Sequence, residues 1–211
     1  MSVAIAFDLF GTLVDADRPA DPAGAVASEL HERGVEVPAD WQAAYSEPHI
    51  DAPEGAEVPL PAHVSAALAS REVDTPNNAA RRAVVAAFDP IVETRDGARA
   101  AIEAAREYGP VGLLSNCSVP ELVGRTLIRS ELSRDEFDAI VSSVACGWRK
   151  PHPQAFETLA DQLSVAVEEV IYVGDNPATD GGIDGYGGTY INIEVCSLSE
   201  LPARLETEVL G

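Results

Sequence analysis

The residues able to do chemistry sit in four short segments, three of which directly follow an apolar run. FDLFGTLVD, Phe7 to Asp15, places Asp8 after VAIAF and follows it with a turn at Gly11 and Thr12. GLLSNCS carries Ser115 and Asn116, CGWRKPHP carries Lys150, and GDNPATD carries Asp175 and Asp180. Taken singly, each segment has an ordinary structural role as a helix cap, an Asx turn or a solvated charge. Taken together, they fall at the carboxyl ends of predicted strands, where open parallel sheets bind ligands. Asp8, Asp175 and Asp180 are hard oxygen donors, and three crowded carboxylates require a cation, for which Mg2+ with waters is the natural choice. Such an ion carries phosphates or activates a phosphoryl centre. Lys150 and Ser115 would bind the remaining phosphate oxygens. The Gly11–Thr12 turn and Asn116 would add further donors to a small phosphorylated substrate. One carboxylate can attack phosphorus and form an aspartyl-phosphate.

Charge sharpens this reading. The chain of 211 residues has 35 acidic and 14 basic residues, a net charge of −21. That balance excludes nucleic acid as a partner, because phosphate backbones need basic patches, and it disfavours anionic membranes. Lys150 is the only lysine beside thirteen arginines. A surface nearly purged of lysine keeps one directly ahead of Pro151, where a compact ammonium is harder to replace than a surface charge. The acidic excess points to a chain adapted to molar salt. At about 1 M salt the Debye length falls to roughly 3 Å and self-repulsion is screened. The melting temperature should therefore be higher in molar KCl than in dilute buffer; equal melts in the two would count against halophilic adaptation.

The positioning elements follow from the patterning. Val3 to Phe7, Val111 to Leu114, Ala139 to Ser142, Val170 to Val173 and Thr189 to Ile193 read as buried strands. Helical patterns separate them: DGARAAIEAAREYG, Glu121–Leu132, Pro153–Leu163 and Leu198–Val209. This alternation predicts an α/β fold with a parallel sheet covered by helices on both faces. Residues from about 16 to 91 break the rhythm and hold helices near Ala23–Arg33, Pro38–Tyr45, Ala62–Arg71 and Asn77–Phe88, with no strand. Hydrophobic residues make up 46% of the chain, too many for disorder. Cys117, Cys146 and Cys196 are odd in number and far apart, so small buried thiols are expected rather than disulfides or zinc. No signal peptide or membrane span is apparent in the sequence, which leads to the expectation of a soluble cytoplasmic protein.

In their order, FDLFGTLVD, LLSN, RKP and GDNPATD resemble the four motifs of the haloacid dehalogenase (HAD) superfamily. The resemblance implies a Rossmann-like core over residues 1–14 and 92–211, with a helical C1-type cap over 15–91 that selects substrates. It implies Asp8 as nucleophile, Ser115 binding the transferring group and Lys150 holding nucleophile and phosphate together. It further implies Mg2+ ligation by Asp8, Asp175 and the backbone carbonyl of Phe10, with Asp180 either a ligand too or a support behind the ligands. One departure matters. Most phosphatases of the superfamily carry a second aspartate two residues after the nucleophile, where this chain has Phe10. Phenylalanine transfers no proton, so slow hydrolysis of alkyl phosphates is expected, with Asp15, His49 and His63 as conceivable substitutes. The leading reading is a Mg2+-dependent phosphohydrolase. One alternative is a metal-independent 2-haloacid dehalogenase, in which an aromatic residue occupies the position of Phe10. Another is a HAD-like protein that binds phosphoryl ligands with little turnover.

Overall fold

The computed structural model describes residues 3–210. In chain order its elements are β1 (Ala4–Phe7), β2 (Val14–Ala16), α1 (Pro22–Glu32), α2 (Trp41–Ser46), α3 (Leu60–Ala69) and α4 (Ala79–Ala87). Then come β3 (Val92–Thr94), α5 (Ala98–Ala105), β4 (Val111–Ser115), α6 (Leu122–Arg129), β5 (Ala139–Ser142) and α7 (Ser143–Cys146). The chain closes with α8 (Pro153–Leu163), β6 (Val170–Gly174), β7 (Thr189–Asn192) and α9 (Leu201–Leu210).

Five strands form one sheet in the order β5-β4-β1-β6-β7, with every neighbouring pair parallel. This is the parallel α/β arrangement that the patterning implied and the Rossmann-like core that the resemblance implied. The path runs outward from β1 to β5, then returns to β1's other side and runs outward to β7. The order therefore reverses at β1, which makes its carboxyl end the crevice of the sheet.

Strand alternation decides which helix each face receives. Ile5, Phe7, Val111, Leu113, Ile171 and Val173 point into one core layer, with Ile102 of α5 and Leu201 and Leu205 of α9. Ala4, Ala6, Leu114 and Tyr172 point into the other, against Phe156, Leu159 and Leu163 of α8. The second face is built small at its centre. A Cβ on Gly112 would stand 2.8 Å from Leu159 Cδ1 and 2.9 Å from Leu163 Cδ1, so glycine there lets α8 approach closely. Parity places Asp8 on the same side as Ala4 and Ala6, toward the loop that leads into α8.

Helices α1 to α4, inserted in the chain between β2 and β3, pack on one another. Trp41 is buried among them and donates its indole N–H to Ala23 O at 2.8 Å. It meets Tyr45 edge to face, so the pair four residues apart packs the helices together. A two-stranded antiparallel ribbon closes this segment, pairing Val14 with Thr94, Asp15 with Glu93 and Ala16 with Val92. The sequence reading did not include this ribbon, because three-residue strands leave no periodicity to find. Of the cysteines only Cys117 is buried; Cys146 and Cys196 are half-buried, and all three are free, so the expectation of buried thiols fits one position in three. Among the described residues no helix is long and apolar enough to cross a membrane.

Candidate active site

The loops beyond β1, β4 and β6, and the loop leading from α7 into α8, converge at the carboxyl edge of the sheet. Asp8 follows β1 directly and its backbone N–H bonds Val173 O at 2.9 Å, which fixes it at the seam with β6. Lys150 is buried, with its Nζ 2.9 Å from Asp8 Oδ1, 2.7 Å from Asp180 Oδ1 and 2.7 Å from the Tyr172 hydroxyl oxygen. An ammonium has three protons, and here it has three acceptors. Tyr172 in turn donates to Leu114 O at 2.5 Å. Burial and the neighbouring carboxylates, led by Asp8, push the Tyr172 hydroxyl well above its ordinary range, so it stays protonated.

Burial also pushes the Asp8 carboxyl above its ordinary 3.8; the Lys150 ammonium pulls it down and the Asp180 carboxylate pushes it up. Asp180 is held by Lys150, by the Asn176 N–H at 3.1 Å and by the Thr179 hydroxyl at 3.3 Å. Asp175 accepts from the Thr12 hydroxyl at 3.2 Å. Each of Asp8, Asp175 and Asp180 offers an oxygen within 4.8 Å of the others. Mg2+ binds oxygens at about 2.0–2.1 Å, so ligand oxygens on one ion lie roughly 3–4 Å apart. Three carboxylates against one ammonium leave a local charge matched by one divalent cation. The donor set therefore fits Mg2+ in hardness and charge, and its oxygens lie near enough to converge on one ion.

Gly11 stands at φ +85°, and a Cβ there would lie 2.7 Å from Asp175 Oδ2. Its N–H bonds Val14 O at 2.8 Å, and its carbonyl accepts from the Arg95 guanidinium. Gly11→Ala combines left-handed backbone strain with a clash on Asp175. It should destabilise the protein by about 1–3 kcal/mol, read as a lower urea midpoint.

Asn116 clamps the backbone of Lys150 from both ends of its amide, accepting from Lys150 N at 2.8 Å and donating to Lys150 O at 2.9 Å. Gly11, Thr12 and Asn116 thus all lie at the site, with polar groups engaged by the protein itself. Ser115 closes β4, is buried, and its hydroxyl has no hydrogen-bond partner among the described residues. A cleft of about 180 Å³ opens beside the cluster, lined among others by Phe10, Arg18, Phe88, Asn116, Val119 and Arg149.

The conceivable proton donors lie elsewhere. Asp15 is exposed on β2, 3.9 Å from Arg95. His49 and His63 bond carbonyls of α2, Ala44 O at 2.6 Å and Tyr45 O at 2.7 Å, and their rings pack 5.9 Å apart among the inserted helices. None of the three lines the cleft. His152 caps α8, accepting from Gln154 N at 3.3 Å, and stacks on Trp148.

Two participants escape a sequence reading. Tyr172 carries a signal in retrospect: it interrupts an aliphatic parallel strand, and a buried phenol needs a partner. Glu57 carries none. It sits in the Pro-rich joint before α3, yet its carboxyl is buried; it accepts from the Ser143 hydroxyl and from Arg149 Nη1 at 3.1 Å. Ser143 Oγ in turn accepts from Cys117 N at 2.8 Å. Glu57 thereby ties the inserted segment to the loop after Ser115 and to the residue before Lys150.

Residues 3–181 match the family model of haloacid dehalogenase-like hydrolases. A phosphatase, MT3486, of Mycobacterium tuberculosis (strain CDC 1551 / Oshkosh) is 34% identical over 79 residues, which cover 37% of this chain and 36% of that protein. The match thus spans about a third of that relative's length. The structure resembles a 2-haloacid dehalogenase from Pseudomonas syringae pv. Tomato DC3000, with TM-score 0.65 and 16% identity over 99% of this chain and 100% of the other. It also resembles a HAD family enzyme from Bacteroides thetaiotaomicron in complex with magnesium and inorganic phosphate, with TM-score 0.60 and 15% identity over 90% of this chain and 93% of the other. At such identities the two structures speak for the fold.

Proposed function

The chain belongs to the haloacid dehalogenase-like hydrolase family, and from that premise we propose that it is a Mg2+-dependent phosphohydrolase acting on a small phosphorylated metabolite through an aspartyl-phosphate at Asp8. The observation that carries this reading is the gathering of Asp8, Asp175 and Asp180 within reach of one ion, with Lys150 among them. A metal-free anion site would not place three carboxylates around its ligand, which weighs against haloacid dehalogenation.

In this mechanism Asp8 Oδ1 stays on Lys150 and its other oxygen attacks phosphorus. The bond from phosphorus to the leaving oxygen breaks, and that oxygen takes its proton from solvent. Water then attacks phosphorus and gives a proton back to solvent while the bond from phosphorus to Asp8 breaks, releasing phosphate and restoring Asp8. Mg2+, held by Asp8, Asp175, Asp180 and the Phe10 carbonyl, would neutralise phosphoryl charge when bound. The Ser115 hydroxyl, without a protein partner, donates to a phosphoryl oxygen. Lys150 neutralises charge on Asp8 and is held in place by Asn116, a positioning residue. Thr12 orients Asp175 in the same way, while Gly11 gives Asp175 room. Residues 15–91 form the cap over a core of 1–14 and 92–211, with Arg18 and Phe88 on the cap side of the cleft.

Phe10 leaves the departing oxygen without a general acid, help that is typically worth about 10²–10⁴-fold. With Mg2+, phosphate release from p-nitrophenyl phosphate and acetyl phosphate should exceed that from alkyl phosphates by roughly 10²-fold and vanish in EDTA. Phe10→Asp should raise alkyl phosphate turnover by about tenfold or more and change aryl turnover little. Halide release from 2-chloropropionate in EDTA, without phosphate release in Mg2+, would reverse the assignment.

A further inference from the structure

We propose that Arg18 and Arg149 form a second anion subsite beside Phe10, so that the substrate is a short phosphate ester bearing another anionic group a few atoms from phosphorus. This rests on the phosphohydrolase reading for the position of the phosphoryl group. Acidic residues outnumber basic ones 35 to 14 along the chain. The cleft inverts that balance, with two guanidiniums, Arg18 and Arg149, against one carboxylate, Asp17.

The two arginines are held differently. Arg149 is anchored by the buried Glu57 carboxylate through Nη1 alone. Its N–H groups at Nε and Nη2 have no protein partner among the described residues. Arg18 is exposed and makes no ion pair or side-chain hydrogen bond among the described residues, although carboxylates abound on this surface. Its guanidinium carbon lies 6.0 Å from the centroid of the Phe10 ring, two residues from the nucleophile. Phe10 is thus an apolar spacer between the Asp8 end and a cationic end. The cleft volume of about 180 Å³ lies below the roughly 300–1,000 Å³ of sites for drug-sized ligands, which suits a small substrate. A planar guanidinium grips a carboxylate or a phosphate with paired donors.

Calorimetry separates this subsite from turnover. In Mg2+, phosphonoacetate and 2-hydroxyethylphosphonate present the same phosphonate with and without the second charge, and methylenebisphosphonate replaces the carboxylate by a second phosphonate. The wild type should bind one or both probes that carry a second anionic group roughly ten- to a hundredfold more tightly than the hydroxyethyl probe, the range of a charge-assisted hydrogen bond. Which probe gains more identifies the second group as carboxylate or phosphate. Arg18→Ala should bring that ratio close to one, and Arg18→Lys should retain part of it. A wild-type ratio near one, or a ratio unmoved by Arg18→Ala, overturns the subsite. Phosphate release from p-nitrophenyl phosphate tests the catalytic reading separately, so either conclusion can fall without the other.

Discussion

Asp8→Asn should abolish phosphate release, by roughly 10³-fold or more, and at the same time stabilise the metal-free protein. The two effects have one cause. Asp8 is buried and its carboxyl is pushed above the ordinary 3.8 by burial and by Asp180, with Lys150 and the Leu9 backbone N–H opposing. A carboxylate held in such a place is activated for attack by being poorly solvated, and the same poor solvation costs folding free energy. Asparagine keeps the shape and removes both the nucleophile and the repulsion, while Lys150 retains Asp180 at 2.7 Å. Loss of a covalent nucleophile removes the path itself, which sets the size of the activity loss. The stability gain should be about 1 kcal/mol, the scale of single stabilising substitutions. Its pH dependence follows from the direction of the shift. An acid whose folded pKa is raised binds more protons folded than unfolded, so wild-type stability falls as pH rises past 3.8 toward the raised value. The advantage of Asp8→Asn should therefore be present at neutral pH and disappear below 3.8, where Asp8 is protonated in both states. Urea melts in EDTA at pH 3.5 and 7.5 measure it. A variant no more stable than wild type at pH 7.5 would show that the Asp8 carboxylate is comfortably solvated, and the argument for its reactivity would go with it.

How far the sequence discloses this site depends on whether a residue acts through position on the sheet or through tertiary contact. Asp8, Ser115 and Asp175 stand at the ends of apolar strands, and parallel strands share one carboxyl edge, so their convergence is legible without coordinates. Lys150 is legible for a different reason, its solitude among thirteen arginines. The roles of Thr12 and Asn116 are less legible, because an Asn near a phosphate site reads as a ligand contact. Its engagement with the Lys150 backbone, 34 residues away, arises only when β4 and the loop before α8 meet. Glu57 and Ser143 are 86 residues apart, and their pairing depends on how the Pro-rich joint folds back, which no local pattern encodes. The ribbon of β2 and β3 is invisible for the opposite reason: Val14–Ala16 and Val92–Thr94 are too short to show alternation. Helix ends shifted for local chemistry. The terminal helix starts at Leu201 rather than Leu198, because Ser197 and Glu200 bond each other in a turn ahead of it.

The same three-acceptor geometry predicts that Lys150 tolerates no substitute. Lys150→Met would leave the Asp8 and Asp180 carboxylates facing one another in a buried site without a cation, and the Tyr172 hydroxyl oxygen without its donor. Removing one partner of a buried ion pair typically costs about 3–5 kcal/mol, because the remaining charge stays buried and unpaired. The Asp8 carboxyl, already raised, then moves further up, since the one influence that lowered it through both charge and hydrogen bond is gone. Lys150→Arg keeps the charge and should still fail. Its side chain would enter a space where Lys150 is 1% exposed, and a planar fork cannot aim at three acceptors arranged around a point. Overpacking of this kind costs about 1–3 kcal/mol. Both variants should lose phosphate release by roughly 10³-fold, the transition-state charge on Asp8 and the phosphoryl group being left without its fixed ammonium. They should separate in their response to metal. A divalent ion replaces the missing positive charge, so 10 mM Mg2+ should restore more stability to Lys150→Met than it adds to wild type, whereas Lys150→Arg, whose defect is steric, should gain no more than wild type. Urea midpoints in EDTA and in Mg2+ for the three proteins decide the matter. Equal metal responses in all three would mean that the carboxylates do not share an ion with Lys150 as their neighbour.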